Sequence, residues 1–376
     1  MFSNCISLKS IDLSNFETTE LLENMDFMFF NCKNLISLDL SKLNTKNVLR
    51  MEGLFQECSS LISLNIENWN TGNVIILKNF FKGCSSLISL NLNHFDTSKV
   101  INMDSMFDSC SSLEILKIDN FNTISVNSMA NMFDKCSKLT SLNVSNFNTE
   151  NVTNMKNMFS GCRSLTFLDI SNFNTLNVKN MGKMFDSCSS LLSLDISNFN
   201  TKKTTDLQKM FSGCSSLTYL NLSNFDTSNV KNLQQMFYNC HSLISLEISK
   251  FDISSVTTLK QMLYNCHSLI SVDISNFDTS KVSDMQQMFF NCTSLTSLNL
   301  SNFDISHVTN MESMFEGCIN LEYLNFKNFE NNSNLNDNNM FLYTPEDFVY
   351  CISDESNIPS ELIKKNVLLM IVKKIG

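Results

Sequence analysis

The chain has 376 residues and a formal net charge of −10, with only 8 Gly, 2 Pro and 4 His against 14 Cys, 21 Met and 31 Phe. Charged residues make up 17% and hydrophobic ones 43%, which excludes a disordered tail and a charged coiled coil. No Lys/Arg cluster follows a phosphate backbone, and so few Gly and His leave little for nucleotide loops, metal centres or catalytic triads. Composition therefore argues against an enzyme and against nucleic acid as the main partner.

Met1-Phe2-Ser3-Asn4-Cys5 aligns with Met106-Phe107-Asp108-Ser109-Cys110, so the first residues fall inside a repeating unit. With no basic stretch followed by an apolar one at this end, no export signal is read there. The expectation is a piece of a longer protein. Cysteine exposes the repeat: from Cys5 the interval is 27 residues to Cys32, and then 26 at every step to Cys318. Only Cys351 stands outside the series. Thirteen units cover residues 1–329.

Each unit carries two hydrophobic periods. In Leu217-x-x-Leu220-x-Leu222 the last two apolar residues alternate with polar ones, the pattern of a short half-buried strand. Phe95 to Val100 supplies Asp/Asn and Ser/Thr side chains suited to a turn. Met103, Met106, Phe107 and Cys110 then fall at i, i+3, i+4 and i+7, which predicts a short helix with one apolar stripe. The fold class expected is α/β: a right-handed leucine-rich-repeat-like solenoid of about 13 coils, each a short strand, turn and short helix. Stacking turns each apolar position into a ladder, one through Phe95, Phe121 and Phe147, another through Phe107, Phe133 and Phe159. Asn120, Asn146 and their equivalents, and Thr97, Thr123 and theirs, form polar ladders expected to bond neighbouring coils.

The period fails after Phe329, and residues 330–376 are expected to form a degenerate C-terminal coil or cap and tail. Val367 to Val372 is apolar but six residues long, far short of the roughly 20 needed to cross a bilayer.

The recurring run C-x-S-L-x-S-L-(D/N)-(L/I)-S-N-F-(D/N)-T-x-x-V-x-N-M-x-x-M-F resembles the BspA-type leucine-rich repeat, the Mycoplasma-lipoprotein form, over nearly all of residues 1–329. The resemblance implies a secreted or membrane-tethered surface protein engaged in adhesion, with host or matrix proteins or other cells as partners. A cell-surface or secreted location is implied the same way.

The candidate ligand-binding residues are those that break the Ser consensus at the third strand site: Ile115, Phe167, Tyr219 and Tyr323, with Lys117 beside the first. Exposed aromatics on a strand face make good anchors. Other constellations have plainer readings. The Cys ladder suits buried free thiols, because every Cys would have two equivalent neighbours and no unique disulfide partner. Cys240-His241 and Cys266-His267 would need one of each pair to turn round before they held zinc, so two surface histidines are expected and no metal or cofactor is assigned. Asp and Asn between the strand leucines, Asp39 and Asn65 among them, suit a solvated face better than Ca²⁺ coordination. N-x-S/T sequons occur at Asn143, Asn151, Asn221, Asn291, Asn299 and Asn331.

The reading favoured is a non-enzymatic adhesion or protein-recognition module. The alternative is an intracellular leucine-rich scaffold, with an export sequence upstream of Met1 as the discriminator. A surface-binding role for the Thr ladder, as in ice recognition, is the weakest of the three. An open first coil leaves end-to-end self-association as an option.

Overall fold

The structure, a computed structural model, describes residues 1–13, 21–327, 334–352, 359, 361–362 and 368–371. It divides into two compact units: Met1–Val178 with Met184–Leu191, and Lys179–Lys183 with Leu192–Gly376. Each is a β-solenoid, with about 12 turns between them.

In the first unit the strands are β1 (Ser37–Asp39), β2 (Ser63–Asn65), β3 (Ser89–Asn91) and β4 (Ile115–Lys117). The second holds β5 (Tyr219–Asn221), β6 (Ser245–Glu247), β7 (Ser297–Asn299), β8 (Tyr323–Asn325), β9 (Val349–Ile352) and β10 (Leu368–Ile371). All pairings are parallel, and Leu38↔Leu64 and Leu220↔Leu246 show the one-period register. A strand can pair this way only with the equivalent strand of the next coil, so the repeat length sets the register. Within the sheet β7-β8-β9-β10, β9 keeps that register against β8, with Tyr323 opposite Val349. The boundary expected at 329/330 lies outside the described residues, as do Asn331, the Asp354-Glu355 pair and the two end residues of the Val367–Val372 run, whose middle four form β10.

The short helix is not formed in any described coil. Met103–Cys110 is a run of β-turns in which Met106 N, Asp108 N and Cys110 N bond the carbonyls three residues back, at 3.1–3.2 Å. The amides between them leave the coil: Ser105 N, Phe107 N and Ser109 N donate to Ala130 O, Met132 O and Asp134 O at 2.7–2.9 Å. A helix would need every one of these amides for its own i−4 carbonyl. Ser105 (φ 55°) and Ser109 (φ 62°) take the left-handed conformation that such turns require. The fold class is thus corrected from α/β to β. Burial nevertheless follows the expected stripe, since Met103, Met106, Phe107 and Cys110 are all fully buried.

The rings stack as ladders. In the first unit Phe107–Phe133 and Phe133–Phe159 have centroids 5.6 and 5.7 Å apart with planes within 5°. Phe211–Phe237 (5.9 Å) repeats this in the second. Trp69, a larger ring in the other column, stacks on Phe95 at 6.5 Å and satisfies its indole N–H on Leu40 O at 3.0 Å.

Where Asp or Asn stands at them, three corners of the coil are Asx turns, in which a side-chain oxygen accepts the amide two residues on. Asp39 Oδ1 takes Ser41 N (2.9 Å), Asp96 Oδ1 takes Ser98 N (3.0 Å) and Asn102 Oδ1 takes Asp104 N (2.8 Å). The Asp and Asn between the strand leucines are therefore corner-formers. Between coils, Asn120 Nδ2 donates to Asn93 O and Asn146 Nδ2 to Asp119 O, at 2.9 and 2.7 Å. Thr97 Oγ1 donates to Asn122 O (2.9 Å) and accepts Asn122 N (2.8 Å). Thr97 and Thr279 are fully buried, which removes the Thr ladder as a surface-recognition array.

Candidate functional site

On the strand side of the coils the apolar Leu faces inward and its flanking residues face solvent, as the period of two requires. Ile115, Phe167, Tyr219 and Tyr323 are 56%, 65%, 51% and 36% exposed. Ile115 and Lys117 lie on β4, Tyr219 on β5 and Tyr323 on β8, whereas Phe167 sits outside any strand. They do not form one patch. Ile115 and Phe167 are two coils apart in the first unit, roughly 10 Å by strand spacing. Tyr219 and Tyr323 are four coils apart in the second, roughly 19 Å. Tyr323 Oη is also engaged, accepting the Cys351 thiol at 3.6 Å.

The structure adds residues that the Ser-consensus argument passed over. Ile36, Ile62 and Ile88, at the site just before the strand, are 48%, 55% and 50% exposed on consecutive coils. With Ile115 on the next coil they give four neighbouring exposed side chains. The two positions trade: Ser37, Ser63 and Ser89 follow the isoleucines, while Glu114, Thr166, Thr218 and Glu322 precede Ile115, Phe167, Tyr219 and Tyr323. Either way these coils present one apolar group at this edge, whereas the coils with Thr140-Ser141 and Thr296-Ser297 present none. The recurring L-I-S-L was the available signal, but the strand period by itself did not say that both x positions of L-x-x-L face out. Glu114 pairs with Lys138 at 3.8 Å on this edge, and Lys117 is exposed.

The remaining constellations resolve as structure. Cys110 Sγ donates to Phe81 O and Cys136 Sγ to Phe107 O, each at 3.2 Å, and this bond recurs along the ladder. All cysteines among the described residues are free thiols. Cys240 and Cys266 are buried and bonded to Phe211 O and Phe237 O, while His241 and His267 stack outside them at 4.8 Å. Burial and the neighbouring His241 push the His267 imidazole below its ordinary pKa. Sequon Asn143 is tied through Nδ2 to Asp119 (2.7 Å) and Asn151 to Ile124 O (2.9 Å).

Five overlapping segments, 1–114, 76–168, 102–218, 159–266 and 243–350, match the family described as "Mycoplasma protein of unknown function, DUF285". The chain belongs to the DUF285 family. The comparison with curated proteins gave no match. Among solved structures, the DUF285 chain is similar to a leucine-rich cell surface protein from Faecalibacterium prausnitzii, at 19% identity and TM-score 0.43, covering 80% of this chain and 75% of that one. It is similar to a leucine-rich repeat protein from Eubacterium ventriosum at 18% identity and TM-score 0.35, covering 75% and 76%. It also matches a chain of the TLR13–ssRNA13 complex at 16% identity and TM-score 0.23, covering 90% of this chain and 57% of that one. The first two of these are described as leucine-rich proteins. No helix among the described residues is long and apolar enough to cross a membrane.

Proposed function

We propose that this chain is a non-enzymatic protein-recognition solenoid of the cell-surface adhesion type that the BspA-like repeat implies. Its partner is a protein or matrix macromolecule that lies along the strand side of the coils. The observation that carries the reading is the run of half-exposed Ile36, Ile62, Ile88 and Ile115 on four consecutive coils. Contiguous exposed apolar groups with a polar surround mark interaction surfaces more often than they occur by neglect. Phe167, two coils from Ile115 in the same unit, serves as a further anchor, with Lys117 beside Ile115; Tyr219 and Tyr323 hold the equivalent strand site in the second unit. The test is surface plasmon resonance against a panel of purified extracellular-matrix proteins, with Ile62→Lys and Ile88→Lys as variants. Binding that is lost in both, at unchanged thermal stability, supports the reading; binding indifferent to both sinks it.

A second reading, an intracellular scaffold, draws support from the free-thiol core. Protease treatment of intact source cells separates the two. Cleavage of the chain places it outside, and full protection while an internal control is equally protected favours the scaffold.

A further inference from the structure

Six periods of 26 residues after the isoleucine run begins, the strand side of the second unit carries a run of its own. Leu192, Tyr219, Ile244 and Ile270 stand on four consecutive coils and are 62%, 51%, 48% and 51% exposed. Tyr219 opens β5 and Ile244 immediately precedes β6, and Tyr219 pairs with Ser245 between those strands. The four coils stay in register. Phe199, Phe225 and Phe251, one from each of the first three, stack at 6.5 and 6.4 Å. Where the third coil meets the fourth, Ser268 N donates to His241 O at 3.1 Å.

The two runs differ in charge. In the first unit the strand segments 32–40, 58–66, 84–92 and 110–118 hold Asp39 and Glu114, balanced by Lys33 and Lys117. In the second, segments 188–196, 214–222, 240–248 and 266–274 hold Asp195, Glu247 and Asp273 and no Lys or Arg. All three acids are exposed, and each lies three residues beyond the apolar residue of its coil, so they form one column beside the run. The amide and hydroxyl of Ser197 hold Asp195 below the usual carboxylate range, and the hydroxyl and amide of Ser275 do the same for Asp273. Both are therefore ionised at neutral pH.

We propose that this second-unit run is the docking site for a basic amphipathic helix of a partner protein, lying along the direction in which the coils stack. The inference rests on the protein-recognition reading above and narrows it. Spacing selects the helix. Coils follow one another at about 4.8 Å, and a helix presents an apolar group about every 5.4 Å, so four coils meet three turns nearly in step. An extended partner repeats its side chains on one face about every 6.6 Å and falls out of step within two coils. Charge selects the flank. Lys or Arg along one side of the apolar stripe meets Asp195, Glu247 and Asp273, a pairing that the balanced first-unit run does not offer.

The experiment is fluorescence anisotropy of the full chain with a labelled peptide of about 18 residues that carries Leu at i, i+4, i+7 and i+11 and Lys on the flanks. It is expected to bind saturably at physiological salt. The same peptide with Glu for every Lys should bind roughly tenfold more weakly or worse. Ile244→Lys, at an exposed site, should weaken binding roughly tenfold with the melting temperature unchanged. The triple variant Asp195→Asn, Glu247→Gln and Asp273→Asn should do likewise, and its asparagines can still accept the amides of Ser197 and Ser275. Ile62→Lys, in the first unit, should leave the affinity as it was. The proposal is overturned if the peptide does not bind, if a scrambled peptide of the same composition binds as well, or if Ile62→Lys weakens binding as much as Ile244→Lys does. It is equally overturned if Ile244→Lys or the triple variant binds as the unaltered chain does. Matrix-protein binding that is lost in Ile62→Lys and Ile88→Lys, with no peptide binding, overturns this inference alone. No binding of either kind overturns the recognition reading with it.

Discussion

At the scale of the residue, the recurring cysteine is explained by a weak donor in an apolar place. A thiol fills the volume of a small hydrophobe and still donates to the Phe carbonyl one coil back, as Cys162 does to Phe133 O at 3.2 Å. Burial pushes these thiols up, to about 12 at Cys58, Cys188, Cys240 and Cys318. The thiolate that reacts with electrophiles is then nearly absent at neutral pH. Iodoacetamide treatment of the native protein, followed by peptide mass spectrometry, should modify exposed Cys5 and spare Cys32 to Cys318 until denaturant is added. Labelling of the stripe without denaturant would show that the coils open readily. Asp134 is a contrasting case. It is 6% exposed, its Oδ1 has no hydrogen-bond partner, and burial, with nearby Asp108 adding to it, raises its carboxyl above the usual range. A carboxylate whose folded-state pKa is raised destabilises the fold at neutral pH, and the penalty disappears as pH falls through that raised value. Asp134→Asn should therefore stabilise the protein at pH 7 by about 1 kcal/mol, with the gain shrinking in acid. Thermal melts of both proteins at the two pH values decide it.

At the scale of the element, the coil is held by bonds to residues 25 to 29 positions away more than by bonds within itself. Thr97 shows how closely these are matched, since one hydroxyl satisfies both the carbonyl and the amide of Asn122. Thr97→Val keeps the shape and removes both bonds, at an expected cost of about 1–3 kcal/mol, whereas Thr97→Ser should lose less. Urea unfolding midpoints distinguish the pair. The turn run brings a second constraint, two left-handed residues per coil. Gly317 (φ 78°) occupies one such place, where a Cβ would meet the Asn291 side-chain amide, which can turn aside. Gly317→Ala should cost about 1 kcal/mol, chiefly through the left-handed conformation that alanine disfavours. Here lies the main misreading of the sequence. Met103, Met106, Phe107 and Cys110 have helical spacing, and a four-residue turn run puts the same positions inside. Periodicity reports which face is buried, and the two structures share that face.

At the scale of the whole molecule, the acid response should follow from the Asx corners. Hydrogen bonds from the serine two residues on, hydroxyl first and then amide, hold Asp96, Asp226, Asp273, Asp278 and Asp304 below the usual carboxylate range. A depressed folded-state pKa contributes stability that is complete above the ordinary value of about 4 and is lost as pH falls through the depressed values. Each corner is exposed and worth little alone, but the contribution recurs in several coils. Melting temperature should accordingly hold down to about pH 4 and fall below it. A flat profile to pH 2 would show that the corners carry no net stabilisation.

The repeat, the coil length, the core columns and the polar ladders that join neighbouring coils are all legible in the order of residues. Each of those is a local pattern multiplied by stacking, so one unit contains it. Tertiary structure alone decided whether the Met-Phe-Cys segment is a helix or a turn run. Its amides choose between carbonyls four residues away and carbonyls one coil away, and the second partner is invisible in a window of ten residues. It also decided the surface. The strand-side apolar run arises from what neighbouring coils place side by side, Ile36 next to Ile62 and Ile62 next to Ile88.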